Sequence, residues 1–176
     1  MCLYANDMKN FTFRKAVIQD KNSIWNIIKQ AILRRKADGS NQWQDGYPNE
    51  QSIENDILNN FGFVLVDETT IIGYCAIIVN YEPAYDAIEG KWLTNDDFVV
   101  IHRIAIHENY LGQGLSGKII DCVENFAKEQ NIFSVKVDTN FDNIAMMKIF
   151  EKRGYQYCGE VYFRGSARRA YEKVLK

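Results

Sequence analysis

Hydrophobic residues recur along the chain with two different spacings, and each spacing predicts one kind of secondary structure. Short runs rich in Val, Ile, Phe and Tyr, bounded by Gly, Asn or Asp, are typical of strands. Apolar residues three and four positions apart predict helices that bury one face. The strands predicted in this way are 11–17, 63–68, 71–79, 98–106, 133–139, 155–163 and 167–175.

Four helices are predicted between these strands. They run from Asp20 to Gly39, over about 50–60, from Leu115 to about Gln130 and over 143–153. Apolar stripes are formed by Ile24, Ile27, Ile28 and Ala31 in the first and by Leu115, Ile119, Ile120, Val123 and Phe126 in the third. We expect Asp20 to cap the first helix and Asp142 or Asn143 the fourth, because short polar side chains accept hydrogen bonds from helical N–H groups. Gly39 and Gly154 are expected to end these two helices.

The predicted order of elements is βααβββαβαββ. Elements in this order build a mixed, mostly antiparallel sheet of about seven strands, flanked by about four helices. We therefore expect a single α/β domain over residues 1–176.

Composition and charge exclude several classes of protein. Hydrophobic residues make up 47% and charged residues 25%, and the net charge is −2, so no strongly basic surface points to nucleic acid. The four cysteines form no CxxC pair and are expected to be free thiols, and no metal site is expected. No secretory signal and no apolar run long enough for a bilayer are visible, so we expect a cytoplasmic protein without a membrane partner.

A glycine-rich turn connects the predicted strand 98–106 to the third helix, in the stretch HENYLGQGLSGKII (107–120). The amino end of a helix presents free backbone N–H groups, and the helix dipole favours an anion there. Glycine lets the backbone approach a ligand closely and take a positive φ. Residues 111–117 are therefore a candidate phosphate-binding turn, and a glycine-rich connection without a ligand is the alternative.

The same glycines also match a dinucleotide-binding fingerprint. Gly112, Gly114 and Gly117 have the spacing GxGxxG. That fingerprint normally opens its domain, whereas here it follows a predicted hairpin more than halfway along the chain. The mostly antiparallel order before it does not build a doubly wound sheet. A P-loop is excluded because the chain has no GxxxxGK[ST].

Together with its surroundings, the turn resembles the GCN5-related N-acetyltransferase (GNAT) family, most specifically over residues 98–159. VVIHRIAIHENYLGQGLSGKIIDCVENFAKEQ is similar to the family's acetyl-CoA pyrophosphate motif, R/Q-x-x-G-x-G/A. VDTNFDNIAMMKIFEKRGYQYCGE is similar to the family's segment of strand, Asn and helix. Three positions depart from the pattern: Leu111 stands where Arg or Gln is usual, Ser116 where Gly or Ala is usual, and Phe150 where a proton-donating tyrosine is common.

The resemblance implies a GNAT-like fold and transfer of an acetyl group from acetyl-CoA to a primary amine by direct attack in a ternary complex. The acceptor is then an amine of a small molecule or a peptide. The residues implied to contact acetyl-CoA are Ile104, Ala105, Ile106, Leu111, Gly112, Gln113, Gly114, Leu115, Ser116, Gly117, Asn143 and Phe150. Backbone N–H groups of the first three are candidates for polarising the thioester carbonyl.

His102 is the candidate catalytic base. The acceptor ammonium must lose a proton before it attacks, and an unperturbed histidine titrates near neutral pH. Period-2 alternation puts His102 on one face of its strand with Ile104 and Ile106, and Arg103 on the other face, paired with an acid. A half-buried histidine bonded to the backbone is the alternative, with the proton leaving through ordered water.

Two loops, 39–49 and 80–97, combine aromatic and acidic residues. They contain Trp43, Asp45, Tyr47, Glu82, Tyr85, Asp86, Glu89 and Trp92. Such a lining suits an ammonium group, and in the family the corresponding loops border the acceptor cleft. Most of these side chains are expected to be solvated acids or loop anchors, and Trp43, Tyr47 and Trp92 are the candidates for acceptor binding.

Two other functions are compatible with the sequence. One is a non-catalytic protein of the same fold that binds or senses acyl-CoA, which Phe150 favours. The other is a protein-interaction domain whose glycine turn binds nothing. The sequence identifies neither the acceptor nor the oligomeric state, and a homodimer is compatible with it.

Overall fold

A computed structural model describes the backbone of residues 2–3 and the complete residues 11–176. The described strands are β1 (Cys2–Leu3), β2 (Phe11–Lys15), β3 (Gly62–Asp67), β4 (Thr70–Val79), β5 (Glu89–Gly90), β6 (Val99–Ile106), β7 (Ser134–Thr139), β8 (Gln156–Phe163) and β9 (Ser166–Val174). The described helices are α1 (Lys21–Ala37), α2 (Glu50–Leu58), α3 (Leu115–Glu129) and α4 (Ile144–Lys152). All seven predicted strands and four predicted helices are confirmed, and β1 and β5 are two-residue additions too short to show a period.

The fold class is also confirmed as mixed α/β with a mostly antiparallel arrangement. Among the strand pairs of the described residues, β6 and β7 run parallel, and the neighbouring pairs β2–β3, β3–β4, β7–β9 and β8–β9 are antiparallel. Single 3-10 turns lie at Ile18–Asp20, Pro83–Tyr85 and Glu108–Tyr110.

The chain divides into two compact units. The first comprises Met1–Ala76 and Arg103–Cys122, and the second comprises Ile77–His102 and Val123–Lys176. The division falls inside β4, β6 and α3, so each of these elements has residues in both units. The expectation of one domain over the whole chain stays a prediction.

In the first unit, the strand order is β1-β2-β3-β4-β6. Phe13 lies opposite Leu65 in the antiparallel register of β2 and β3. The apolar stripe of α1 packs with residues of α2, β3 and β4 in one core cluster, whose fully buried members include Ile24, Ile28, Ile53, Val64 and Tyr74. Each fully buried aliphatic side chain of this kind contributes about 1.5–3 kcal/mol.

The two ends of α1 differ in how well the sequence predicted them. Gly39 ends the helix as expected, with φ at 75° and the Ser40 N–H donating to the Arg35 carbonyl at 3.0 Å. The prediction that Asp20 caps α1 was wrong, because its side chain accepts no hydrogen bond from the helix. Its carboxylate instead accepts from Arg14 at 2.6 and 3.1 Å and from the Val17 N–H at 2.9 Å.

In the second unit, the strand order is β6-β7-β9-β8-β5. The parallel register of β6 and β7 begins at Val99↔Val135 and ends at Ile101↔Val137, although β7 continues to Thr139. Tyr85, Val100, Val161 and Ala170 form a buried hydrophobic cluster in this unit. The loop that follows β4 is fastened to this sheet by β5, whose Gly90 lies opposite Gly159 of β8.

That fastening requires glycine on both strands. Gly90 and Gly159 have φ values of 148° and 140°, and a Cβ on either would overlap the backbone of the other strand.

The α4 helix has the predicted ends. Asn143 accepts from the Met146 N–H at 3.3 Å, and Gly154 follows the helix with φ at 82°.

Cys75, Cys122 and Cys158 are buried thiols outside any disulfide, whereas the side chain of Cys2 lies outside the described residues. Burial raises the pKa of Cys75 well above its ordinary value, so this thiol stays protonated. Within the described residues, no helix is both long and apolar enough to cross a membrane.

Candidate functional site

The glycine turn in the first unit has the geometry that the sequence predicted. Gly112 and Gly114 have φ values of 75° and 71°, which only glycine adopts without strain. A Cβ added at either position would meet no atom within 4 Å. Residues 111–114 are exposed. The turn therefore offers backbone at an open surface rather than backbone packed against a neighbouring element.

The α3 helix begins directly after this turn, at Leu115. The Lys118 N–H donates to the Gly114 carbonyl at 3.1 Å, which closes the first turn of the helix. An α-helix cannot bond its first N–H groups internally, and its amino end carries partial positive charge. Leu115 is buried and anchors the start of the helix. An open loop of positive-φ glycines followed by a helix start suits a diphosphate.

The strand before the turn is tied to α1. The Arg34 guanidinium donates to the Ile106 carbonyl at 3.0 Å, and the Glu108 N–H donates to the Gln30 side chain at 3.1 Å. Burial lowers the pKa of Arg34, with Glu108 and Asp38 acting in the opposite direction. Ile104, Ala105 and Ile106, the predicted oxyanion donors, form the last three residues of β6. The Arg34 guanidinium therefore places a positive charge at the end of β6. Position 111, where the family pattern has Arg or Gln, is an uncharged Leu in this chain.

Arg103 interrupts the regular course of β6. Its φ of 57° lies in the left-handed region, where a non-glycine residue is strained. Its guanidinium donates to both oxygens of Asp56, at 2.9 and 2.6 Å, which confirms the predicted pairing with an acid. The regular alternation of side chains between the two faces of a strand does not continue across this residue. The prediction that His102, Ile104 and Ile106 share one face therefore no longer follows from that alternation.

Asp56 is the centre of a buried polar cluster in the first unit. The Tyr74 hydroxyl donates to it at 2.6 Å, and Arg103 also donates to the Tyr47 hydroxyl. Burial opposes the charge on Arg103, but Asp56 outweighs this and raises the pKa of the guanidinium. Burial, followed by Asp56, raises the pKa of Tyr74 well above its ordinary value. The cluster holds β6 to α2 at the point where the strand is strained.

The two aromatic candidates of loop 39–49 are both engaged in the first unit. Trp43 packs against the core cluster of α1 and α2 and has a φ of 63°. The hydroxyl of Tyr47 is bonded to Arg103, whose guanidinium lies 5.8 Å from the centre of the tyrosine ring. These contacts anchor the loop, and a role of either residue in acceptor binding stays a prediction.

In the second unit, His102 lies between two carboxylates. Its Nε2 is 2.6 Å from Glu82 Oε2, and its Nδ1 is 4.0 Å from Asp138 Oδ2. The side chains of His102 and Glu82 are each 13% exposed and that of Asp138 is 2% exposed. The Phe163 ring meets the imidazole edge to face, with 6.2 Å between ring centres. His102 is thus a half-enclosed imidazole bonded to an acid, rather than to the backbone.

Asp138 is held by two further side chains. The Tyr85 hydroxyl donates to its Oδ2 at 2.8 Å, and Arg168 donates to its Oδ1 at 3.2 Å. Arg168 also lies over the Phe163 ring, 4.7 Å from its centre. Burial and then Asp138 raise the pKa of Tyr85 well above its ordinary value, so this phenol remains a neutral donor. The hydrogen bonds from Tyr85 and Arg168 therefore fix the carboxylate beside His102 in place.

Trp92 orders the loop that carries Glu82. Its indole N–H donates to the Tyr85 carbonyl at 3.0 Å, and the two rings lie 4.9 Å apart. The Lys136 ammonium lies 4.6 Å from the Trp92 ring centre, and burial lowers the pKa of this lysine. Acceptor binding by Trp92 stays a prediction beside this structural role.

The two cofactor candidates of α4 also lie in the second unit. Asn143 uses its side-chain oxygen to cap its own helix. Phe150 is 2% exposed, and its ring centre lies 5.7 Å from that of Tyr155 and 5.6 Å from that of Tyr171. Burial raises the pKa of Tyr171. Phe150 is thus a core residue of an aromatic cluster.

The sequence did not identify all the groups around His102. Glu82 was one of several loop acids expected to be solvated, and Asp138, Phe163 and Arg168 were not singled out. One signal was available: Asp138 and Lys136 interrupt the apolar strand at alternate positions, so one face of β7 had to carry charge. Among the described residues, no group of three or more His, Cys, Asp or Glu side chains is arranged to hold a metal ion.

Comparisons with known proteins agree with one another. A model of the acetyltransferase (GNAT) family matches residues 26–155, a range with segments of both units. An acetyltransferase of the GNAT family from Streptococcus agalactiae 2603 is 35% identical, with 99% of each chain covered and a TM-score of 0.89. A GNAT-family acetyltransferase from Listeria monocytogenes 4b F2365, 21% identical, has the same fold over 99% of this chain and 100% of its own, with a TM-score of 0.80.

A curated relative is similar at the level of sequence. YesJ of Bacillus subtilis (strain 168), described as an uncharacterized N-acetyltransferase, is 24% identical over 153 residues. The aligned region is 82% of this chain and 81% of the relative.

Proposed function

This chain belongs to the acetyltransferase (GNAT) family, and from that premise we propose that it transfers an acetyl group from acetyl-CoA to a primary amine of a small molecule or peptide. Family membership implies acyl transfer from acetyl-CoA. The observation that supports the cofactor part of the proposal is the open glycine turn, where Gly112 and Gly114 present left-handed backbone with no atom within 4 Å of an added Cβ.

The turn is the proposed site for the diphosphate of acetyl-CoA. The Leu111 N–H already donates to the Glu108 carbonyl at 3.4 Å, so the proposed donors are the backbone N–H groups from Gly112 to Ser116. Binding then does not depend on an arginine at position 111. The cofactor supplies its acetyl group as a thioester, whose carbonyl requires a hydrogen-bond donor as negative charge develops on its oxygen. Backbone N–H groups of Ile104, Ala105 and Ile106 are proposed for this role.

The proton of the acceptor ammonium is assigned to His102. Only the free amine attacks, and a positioned base of suitable basicity contributes roughly 10²–10⁴-fold to the rate. The carboxylates of Glu82 and Asp138 on either side of the imidazole compensate the positive charge that it then carries. Asn143 and Phe150 are proposed to border the pantetheine arm, and Trp43, Tyr47 and Trp92 to border the acceptor.

The leaving sulfur does not require a protein acid. Phe150 cannot donate a proton, but a thiolate whose conjugate acid has a pKa near ~8.5 leaves readily and takes its proton from water. The nitrogen forms the new C–N bond, the C–S bond breaks, and the electron pair of that bond departs with the sulfur. The acylated nitrogen then releases its remaining extra proton to water, which leaves a neutral amide.

A second candidate function is binding or sensing of acyl-CoA without turnover. The position of Phe150 in a buried aromatic cluster favours it, because the phenyl ring is used for packing and the usual acid is absent. Both candidates require CoA binding, and only the first requires transfer.

Calorimetric titration with CoA, followed by a CoA-release assay with a panel of primary amines, separates these functions. We expect saturable CoA binding and release that depends on one class of amine. Binding without amine-dependent release would favour the sensor, and the absence of CoA binding by the folded protein would contradict both.

A further inference from the structure

We infer that Glu82 positions His102 for catalysis by fixing which ring nitrogen carries the proton, so that Nδ1 is the atom that receives the proton of the acceptor. The inference rests on the proposed base role of His102. It adds a second residue to the reaction and assigns the proton transfer to one atom.

Glu82 is held by its own loop and not only by the histidine. It lies at the start of the 3-10 turn Pro83–Tyr85, where its Oε1 accepts from the Ala84 N–H at 3.4 Å. The other carboxylate oxygen, Oε2, is 2.6 Å from His102 Nε2. The loop itself is fastened by β5, through Gly90 and Gly159. The carboxylate is thus in place before any substrate binds.

This contact determines the tautomer of the imidazole. An ionised carboxylate only accepts hydrogen bonds, so Nε2 must carry the hydrogen that is donated to Glu82. In the neutral ring, the lone pair then lies on Nδ1. A base in this state takes a proton at Nδ1 and at no other atom.

The surroundings of Nδ1 suit that role. The nearest carboxylate oxygen, Asp138 Oδ2, is 4.0 Å away, beyond hydrogen-bond distance, and it already accepts from the Tyr85 hydroxyl at 2.8 Å. Arg168 binds the other oxygen of Asp138, and Phe163 packs against the ring. When Nδ1 receives a proton, the imidazolium lies between Glu82 and Asp138, and the two carboxylates compensate its charge.

The proton transfer is complete in atoms and charges. The ammonium of the acceptor gives one proton to Nδ1 and becomes a neutral amine. The nitrogen loses its second proton to water as the amide forms, and this proton balances the one that the thiolate takes from water. After the acetyl group has been transferred and the product has left, Nδ1 returns its proton to water, and Nε2 keeps its hydrogen throughout.

Glu82→Gln tests the inference because one oxygen of this side chain accepts from the backbone N–H of Ala84, and the other end of the carboxylate faces His102. If the amide oxygen keeps the Ala84 N–H, the amide nitrogen faces His102 Nε2 as a donor, and Nε2 must then accept. The proton of the neutral ring moves to Nδ1, which can no longer act as a base. We expect kcat/KM to fall at least tenfold, with the affinity for CoA unchanged.

Glu89→Gln is the matched control. It makes the same change of charge in the same loop, but the Glu89 carboxylate accepts from the Tyr162 hydroxyl at 2.9 Å and does not contact His102. We expect wild-type kcat/KM from this variant.

Nitrogen NMR of the imidazole gives a readout that a purely structural role would not change. The chain has two histidines, so the ring signals that vanish in His102→Gln belong to His102. We expect Nε2–H in the neutral ring of the wild type and of Glu89→Gln, and Nδ1–H in that of Glu82→Gln. All spectra are recorded without substrate and do not depend on turnover.

The outcomes separate this inference from the function on which it rests. Loss of activity in His102→Gln with wild-type kcat/KM in Glu82→Gln would overturn the positioning role and leave the base role intact. An unchanged Nε2–H tautomer in Glu82→Gln would also overturn it. Wild-type kcat/KM in His102→Gln would contradict the base role, and the inference would fall with it.

Discussion

His102 is enclosed by side chains that are distant from it along the chain. Glu82 Oε2 lies 2.6 Å from its Nε2, and Asp138 is the next carboxylate, 4.0 Å from its Nδ1. A half-buried imidazole with an acidic partner is a common arrangement for a general base. At the residue scale, the proposed chemistry therefore depends on one histidine and on the acids that flank it.

His102→Gln tests this role directly. Glutamine keeps a polar side chain of similar reach and cannot take up a proton, so we expect kcat/KM to fall by roughly 10²–10⁴-fold. The affinity for CoA should not change, because the proposed diphosphate donors belong to the turn. Steady-state kinetics across pH 6–9 provide the measurement. Equal kcat/KM in the wild type and the variant over this range would favour ordered water as the base.

Phe150→Tyr tests whether a missing acid limits the rate. Water can protonate a good leaving group, so we expect kcat to change less than about twofold. Phe150 is 2% exposed, so thermal unfolding of the variant must be compared as well. A clear rise in kcat would identify proton delivery to the sulfur as the slow step, and this outcome would contradict our assignment.

Asp20→Asn tests the ion pair before α1. Burial acts to raise the pKa of Asp20, but the hydrogen bonds from Arg14 and Val17 outweigh it, and the pKa is lowered. The ionised form therefore stabilises the fold above the unfolded pKa of about 3.9 and loses this effect as pH falls through the lower, folded value. At pH 7, we expect the variant to lose about 1–3 kcal/mol in free energy of unfolding.

The pH dependence of the difference in free energy of unfolding between the wild type and Asp20→Asn tests whether the ion pair is responsible. Urea unfolding at pH 7 and at pH 3 or below should show the wild type and Asp20→Asn converging in acid. Asp38→Asn serves as the control, because its carboxylate is 63% exposed and pairs with Arg35 at 3.3 Å, so it should change stability much less. A difference that stays constant with pH would show that the ion pair does not titrate as described.

At the scale of elements, the sequence correctly predicted the local features, which depend on residues close to one another along the chain. The glycine turn, the ends of α4 and the stop of α1 at Gly39 follow from local backbone chemistry. The site around His102 did not follow, because Glu82 and Asp138 reach the histidine only through the folding of a loop and the pairing of β6 with β7. The cap expected from Asp20 failed because Arg14, six residues earlier in β2, binds that carboxylate.

The interruption of β6 at Arg103 also could not be predicted from the alternation of apolar and polar residues. Arg103 reads as an ordinary polar position of an alternating strand, yet its φ is 57°. The partners that stabilise this conformation are Asp56 and Tyr47, which come from α2 and from the loop before it. Period-2 reasoning fails at such residues, because tertiary contacts outweigh the local preference for extended backbone.

Gly114→Val tests the turn as an element. The variant forces a β-branched residue into φ near 71° and fills the open space beside the backbone, so we expect at least a tenfold loss in CoA affinity, about 1.4 kcal/mol. Gly165→Val is the control, because Gly165 has a φ of 77°, an added Cβ there meets no atom within 4 Å, and the residue lies in the β8–β9 hairpin. Calorimetry on both folded variants gives the comparison. Equal CoA affinity in the two would exclude the turn as the diphosphate site.

At the scale of the whole molecule, the number of unfolding steps depends on whether the two compact units unfold together. Three elements, β4, β6 and α3, have residues in both units, and a strand or helix rarely melts over half its length without disturbing the other half. We expect a single cooperative transition, as for one domain. The three tryptophans provide local probes, because Trp25 and Trp43 belong to the first unit and Trp92 to the second.

Single-tryptophan variants make that expectation measurable. Fluorescence of Trp92 alone and of Trp43 alone should report the same urea midpoint and the same slope. Two separate midpoints would show that the units are independent domains and would contradict the prediction of one domain over residues 1–176.

The central proposal is that this member of the family moves an acetyl group to an amine and uses His102 to do so. The most direct measurement is mass spectrometry of an amine panel after incubation with acetyl-CoA labelled in its acetyl group. We predict a labelled N-acetyl product with one class of amine in the wild type, formed roughly 10²–10⁴-fold more slowly by His102→Gln. Saturable CoA binding without any labelled product would contradict the proposal and identify a protein that binds the cofactor but does not transfer its acetyl group.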